Sequence, residues 1–388
     1  MAAATVSGTC DARFAPLREV FAASFANGEE IGASVAVVID GRPVVSLFGG
    51  HADPAKTRPW TADTLVNVYS TTKGMAALCL HQLVEEGKVD LDAPVARYWP
   101  EFAAAGKAEV PVRWLLSHRV GLPAVRKLLP GEALYDWSAM ITALAAETPW
   151  WTPGERHGYH AVTFGWLVGE VVRRVTGKSV GTVFRERIAA PLGADFYIGL
   201  PEALDSRVAE LGAMVTTPAP DTGGFNLMEA FLKEPEGMVA RAFMNPPSMA
   251  FGPNNPAWRR AEIPAANGQA NALGIAKVYG AVVAPEAGHR VLAPESVARA
   301  SVEQSNGKDA VLQLETRFGL GFMIPQVRRD ARFGPGERSF GHPGAGGSLG
   351  FGDPEARIGF GYAMNKMGPS ILMDVRPLAL IDALYSCL

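Results

Sequence analysis

The spacing of apolar positions changes along the chain, and the changes mark out where helices and strands alternate. Residues 14–25 put Leu17, Val20, Phe21 and Phe25 on one side of a helix. Two apolar runs, 33–39 and 44–48, flank Asp40-Gly41 and predict a hairpin. An apolar helical run follows Ser70 and stops at Gly87. From about Pro94 to Leu211 the periodicity is mostly helical, with helices expected over 137–146, 162–175 and 180–190. Helix returns at 270–283, strands at 318–324 and 357–364, and an apolar helix over about 371–384 is interrupted or started by Pro377.

Strands near both ends with helices between them predict an α/β (α+β) architecture. One domain is expected from the two termini, residues 1–93 and 261–388, with a mostly helical domain, 94–260, inserted. Within the insert, residues 213–260 are rich in proline and asparagine, with Phe225, Met228, Phe231, Met238, Phe243, Met244, Met249 and Phe251 scattered among them. Such a segment either folds over a cleft and lines a pocket or is a loop-rich cap, and composition does not choose between the two.

Composition narrows the class. A 48 % hydrophobic share and a 19 % charged share over 388 residues describe a globular chain with ample core, not a disordered one. A formal net charge of -3 without a long basic run excludes nucleic acid and anionic membrane surfaces as expected partners. Cys10, Cys79 and Cys387 form neither a metal spacing nor a disulfide framework, and Cys79 is expected as a small buried hydrophobe. The N-terminal residues lack a basic start and apolar core, and no apolar run reaches transmembrane length, so a cytoplasmic location is expected.

The candidate chemistry starts at Ser70-Thr71-Thr72-Lys73, a hydroxyl and an amine three residues apart at the head of an apolar helix. On one helical face the amine can take the hydroxyl proton, and the apolar run after Lys73 supplies surroundings in which a lysine loses its charge readily. The alternative is an N-cap serine followed by a solvated lysine. Two further segments bear on the choice. Trp151-Thr152-Pro153-Gly154 leads through a turn to Tyr159, just ahead of another apolar helix. Phe340-Gly341-His342-Pro343-Gly344-Ala345-Gly346-Gly347 puts dense glycine before a strand, where substrate can approach backbone closely.

A serine and lysine near the N-terminus, a tyrosine after Pro-Gly midway and a His-x-Gly near the C-terminus resemble the serine β-lactamase and penicillin-binding protein superfamily. Within it the chain is most similar to the family VIII carboxylesterases, which share the class C β-lactamase fold. The resemblance runs from about residue 15 to the end, and Leu115-Leu116-Ser117-His118-Arg119-Val120-Gly121-Leu122 matches a further landmark. It implies an antiparallel sheet flanked by helices, an inserted helical domain and an active site in the cleft between. It also implies covalent acyl transfer to Ser70, with Lys73 accepting the Ser70 proton and Tyr159 passing a proton to the leaving alcohol. Which of Lys73 and Tyr159 is the base in deacylation stays open. The oxyanion hole is expected from the backbone N–H groups of Ser70 and Ala345, with substrate contacts at His342, Gly344 and Phe251 and no metal or organic cofactor. For Tyr159 the plain alternative is a core tyrosine, and for His342 a structural histidine.

Two patterns compete with this reading. Gly346-Gly347-Ser348-Leu349-Gly350 matches Gly-x-Ser-x-Gly, but too little chain follows for acid and histidine partners, so Ser348 is expected to be structural. His157 and His160 could be read as a metal pair, but they lack a clear third ligand. Tyr159-His160-Ala161 lacks the asparagine that β-lactamases carry two residues after the tyrosine. His342-Pro343-Gly344 replaces their Lys-Thr-Gly and so removes a permanent charge suited to a carboxylate. Both departures favour a small neutral ester, with short acyl chains expected and weak β-lactam hydrolysis as an accompaniment. A β-lactamase, D-amino peptidase or acyltransferase, or a non-catalytic binding protein on the same fold, are the alternatives. The oligomeric state is not legible.

Overall fold

The computed structural model describes residues 6–214, 227–247, 252–326 and 332–388. Its largest sheet has six strands: β1 (Val6–Cys10), β2 (Gly32–Ile39), β3 (Arg42–Gly50), β4 (Phe340–Pro343), β5 (Leu349–Asp353) and β6 (Ile358–Met364). All pairs are antiparallel, in the order β1-β3-β2-β6-β5-β4. The two ends of the chain meet at β2 and β6, where Ile39 lies opposite Ile358 and Ala33 opposite Met364. The β2–β3 turn is the expected one: Asp40 and Gly41 both take positive φ, 50° and 72°, which a two-residue turn matched to strand twist requires.

Five helices frame the sheet and the site: α1 (Ala15–Ala26), α2 (Thr72–Glu85), α3 (Thr163–Thr176), α4 (Ala272–Val283) and α5 (Val375–Tyr385). Helix α4 lies flat on one face because that face is paved with small residues. A Cβ on Gly359 would stand 2.1 Å from the Gly280 nitrogen, and one on Gly361 2.2 Å from the Ala272 oxygen. Ala36 and Val38 complete the contact with Ala272 and Ala276. The opposite parity of β6 points the other way, where the Tyr362 hydroxyl reaches Glu30 and, through it, Arg376 of α5. Helices α1 and α5 pack together.

Several expectations are corrected in detail. Strands β1, β4 and β5 carry no readable alternation, because glycine in a strand signals a break locally; here Gly8 and Gly341 lie tight against the backbone of neighbouring strands, and Gly350 and Gly352 against α4. Residues 318–324 are not one strand. Glu315–Phe318 pairs with Ser305–Lys308, and the chain then turns at Gly321, φ 86°, which lies close against Ala77 of α2. Between Pro94 and Leu211 much of the chain is short turns, and the helix starting at Val180 runs into a wider turn over Arg185–Ala189. The last helix begins at Val375, not near 371. Asp374 caps it by accepting the Arg376 N–H at 3.0 Å, and Pro377 falls in the first turn, where no N–H is needed. Cys79 is fully buried, as expected of a small hydrophobe. Among the described residues no helix is long and apolar enough to cross a membrane.

The close fit of α4 on the sheet is testable. Gly359→Ala must lift the helix or bend the strand and is expected to lower stability by about 1–3 kcal/mol in urea unfolding. Gly288→Ala, where a Cβ meets nothing within 4 Å, is expected to stay within about 0.5 kcal/mol of the parent. Equal effects at the two positions would refute the packing explanation.

Candidate active site

Ser70 stands one residue before the cap of α2 and just after Tyr69, whose φ is 42°. A bulky residue held at positive φ is locally strained and marks a backbone constrained by its surroundings. Here the kink falls between the short strand Val66–Asn67 and α2, and it leaves the Ser70 hydroxyl on the cavity wall. Thr71, Thr72 and Lys73 spend their N–H groups on the turn that opens the helix.

Lys73 is fully buried on α2. Its Nζ lies 2.9 Å from Ser70 Oγ, 2.7 Å from the Ala161 carbonyl oxygen and 3.0 Å from that of Ala265. Burial alone drives its proton affinity well below the ordinary lysine range. A neutral amine has two N–H bonds and one lone pair. With the two carbonyls taking the N–H groups, the remaining tetrahedral direction points the lone pair at Ser70. Ala161 precedes α3, and Ala265 reaches the site because Gly165 of α3 leaves room for its backbone: a Cβ there would stand 2.7 Å from the Ala265 nitrogen.

Tyr159 donates its hydroxyl to Ser70 Oγ at 2.7 Å. Burial raises its pKa, so it stays protonated and is a donor in the resting site. Its backbone N–H is held by Asp309 Oδ1 at 2.9 Å, an oxygen that also takes the Val311 and Leu312 N–H groups. The ring stacks on Phe318 with centroids 6.2 Å apart, and His118 packs against it at 5.1 Å. Nδ1 of His118 accepts the His160 backbone N–H at 3.1 Å, which fixes the next peptide as well.

The structure therefore brings Ser70, Lys73 and Tyr159 together. Ala345 faces the same cavity, and among the described residues its backbone N–H makes no hydrogen bond. Gly344 lies behind it, with its N–H on the Ser348 oxygen and no space for a side chain beside Val68. His342 is buried against the Tyr159 ring, centroids 5.9 Å apart, and does not line the cavity. Its Nδ1 is 2.7 Å from the Pro343 oxygen, its Nε2 has no hydrogen-bond partner among the described residues, and burial with the nearby Lys73 lowers its pKa to about 3, so it is neutral. Phe251 lies outside the described residues.

Both competing patterns are absorbed by the fold. Ser348 is buried and donates to the Val68 oxygen at 2.8 Å, with Thr71 Oγ1 at 3.2 Å. His160 is bonded through Nδ1 to the Gly158 oxygen and through Nε2 to the Leu122 N–H, while His157 meets Thr316. Both ring nitrogens of His160 and Nε2 of His157 are thus occupied within the protein.

The cavity over Ser70 has a volume of about 620 Å³. Its walls are largely apolar, with Trp258, Met367 and Ile371 on one part and Phe231, Phe243 and Met244 of the 213–260 segment on another. Among the described residues no arginine, lysine or histidine lines it, and Glu210 is the one ionisable acid. Asp309, His118, Tyr69, Gly165 and the carbonyls of Ala161 and Ala265 escaped sequence reasoning. Only the 115–122 landmark pointed toward one of them, His118.

Residues 17–384 match the family model described as Beta-lactamase. The esterase/beta-lactamase LipL of Mycobacterium tuberculosis is 36 % identical over 378 residues, 95 % of this chain and 85 % of that protein. A crystal structure of a family VIII carboxylesterase superimposes with a TM-score of 0.89 at 43 % identity, covering 99 % of this chain and all of that one. A penicillin-binding protein homolog from Caulobacter crescentus gives 0.90 at 40 % identity, with the same coverage. The chain belongs to the β-lactamase family, as a hydrolase of that fold.

Proposed function

We propose that the protein is a serine carboxylesterase that cleaves short-chain carboxylic esters through an acyl-enzyme on Ser70. The observation that carries this reading is the convergence of Lys73 Nζ and Tyr159 OH on Ser70 Oγ, at 2.9 and 2.7 Å. Neutral Lys73 takes the Ser70 proton as Oγ attacks the ester carbonyl carbon. Negative charge collects on the carbonyl oxygen, opposite the N–H groups of Ser70 and Ala345. As the bond to the alkoxy oxygen breaks, the proton gained by Lys73 is passed through Tyr159 to that oxygen, and the alcohol departs. Water then attacks the acyl carbon with the Lys73 and Tyr159 pair accepting its proton, and Ser70 is restored.

Substrate class follows from the walls. A cavity of about 620 Å³ with mainly apolar lining suits a small organic ester, alcohol portion included. Without a cationic side chain among its described lining residues it offers no partner to the carboxylate of a penicillin or cephalosporin. The resemblance to a family VIII carboxylesterase supports the same choice.

Hydrolysis of p-nitrophenyl acetate, butyrate and octanoate tests the reading. Ser70→Ala is expected to lose at least about 10³-fold in turnover, while Ser348→Ala keeps the bulk of it. A fluorophosphonate should label Ser70, and a cephalosporin should turn over far more slowly than the acetate. Survival of activity in Ser70→Ala would overturn the proposal, and a preference for the cephalosporin would replace esterase by β-lactamase.

The state of Lys73 predicts the pH profile. The neutral amine is the active form, so kcat/KM is expected to rise with pH as Lys73 loses its proton. That acid limb should lie below the ordinary lysine range, since the folded protein lowers its proton affinity. Lys73→Met should cost about 10²–10⁴-fold in kcat and remove the limb. A limb unchanged in the variant would assign it to another group.

A further inference from the structure

Behind the turn that presents Ala345 lies a buried charged cluster to which the chemistry above gives no task. Arg376, in the first turn of α5, is almost wholly enclosed, as are Glu30 and Asp374. Its Nε donates to Asp374 Oδ1 at 2.9 Å. Nη1 donates to Glu30 Oε2 at 3.2 Å and to the Lys366 oxygen at 2.9 Å, and Nη2 to the Gly346 oxygen at 2.6 Å and Asp374 Oδ2 at 3.2 Å. Tyr362 donates to the other oxygen of Glu30. Burial pushes the Glu30 carboxyl up to about 7 even beside the guanidinium.

Such a cluster is a poor way to gain stability, since apolar side chains of similar volume often do as well or better. A guanidinium can do one thing that they cannot, which is to hold carbonyl oxygens. The oxygen it holds at 2.6 Å belongs to Gly346, the residue after Ala345. That oxygen also accepts the Gly368 N–H, while Gly346 donates to Ser370, Gly347 to Gly344 and Gly344 to Ser348. Every other N–H of the 344–347 turn is thus committed, and that of Ala345 is left over. The glycines make room for the arrangement: a Cβ on Gly347, φ 130°, would stand 2.7 Å from Nη2, and one on Gly368 2.9 Å from it. Through the Lys366 oxygen the same guanidinium fixes the segment that carries Met367 and Ile371 to the cavity wall.

We infer that Arg376, held by Glu30 and Asp374, is a positioning residue for acylation: through Gly346 it fixes the turn that aims the Ala345 N–H at the ester oxygen as negative charge develops there. The inference rests on the Ser70 acyl-enzyme reading given above. A donor of this kind acts on the transition state more than on the bound ester, so loosening the turn lowers kcat and leaves KM little changed. A role confined to folding would lower the amount of active enzyme instead.

The test uses Arg376→Lys, which keeps the charge but cannot span Gly346, Asp374 and Glu30 together, and Glu30→Gln, which keeps the side-chain shape and removes one counter-charge. Active sites are counted by fluorophosphonate labelling, so that kcat refers to folded enzyme even if stability falls. For Arg376→Lys the expected result is a loss of about tenfold or more in kcat per labelled site, with KM within about twofold and the inhibition constant of phenylboronic acid raised in parallel. Glu30→Gln is expected to move in the same direction by a smaller factor, and it carries the test alone if Arg376→Lys does not fold. Wild-type kcat per site, or a fall in kcat with unchanged boronate affinity, would overturn the positioning role. Failure of the acyl-enzyme reading is seen separately, as absence of label on Ser70 in the parent protein.

Discussion

The site depends on one constraint, the burial of the Lys73 amine with no carboxylate paired to it among the described residues. Two backbone carbonyls satisfy its N–H groups. Carbonyl dipoles can complete the hydrogen bonding of a neutral amine without supplying the full negative charge that would keep it protonated. A carboxylate in either place would favour the charged form of the lysine beside Ser70. The two carbonyls come from residues 161 and 265, far apart in the chain, so this environment of the amine exists only where α2, α3 and the segment before α4 converge.

The groups around Ser70 are aimed by what stands behind them. Tyr159 sits on a stretch without regular structure, yet Asp309 grips its backbone and Phe318 and His118 clamp its ring. Burial raises the pKa of its hydroxyl and lowers that of Lys73, so one physical cause acts in opposite directions on the two groups that flank the same oxygen. The glycine-rich turn at 344–347 is held in a similar way, by a guanidinium and by backbone hydrogen bonds that use up its neighbours' groups. The groups on these loops thus gain their precision from buried polar partners rather than from helix or strand.

The sheet supplies the fixed reference for these loops. Its join between β2 and β6 ties the two ends of the chain together and brings the turn after β4 to the start of α2. Small residues on one face let α4 approach closely, which is why a stretch so rich in glycine forms strands at all. The alternation at 357–364 gave a strand with its glycines included, and the contact that explains Gly359 and Gly361 lies across the sheet on α4.

The sequence by itself determined the hairpin at 33–48, the helix after Ser70, the long helices near 137–146 and 163–176, and the identity and order of Ser70, Lys73 and Tyr159. These are carried by spacing and residue type, which act over a few neighbouring positions. It also pointed to Ser348 as a structural serine. What only the tertiary structure decided is the environment of those groups: the carbonyls of Ala161 and Ala265 around Lys73, Asp309 under Tyr159, the burial of His342 away from the cavity and the grip of Arg376 on Gly346. Each of these is a contact between residues distant in the chain, made by backbone atoms that every residue carries or by side chains whose partners no local pattern names. Proton affinity follows burial, and burial is a property of the assembled fold.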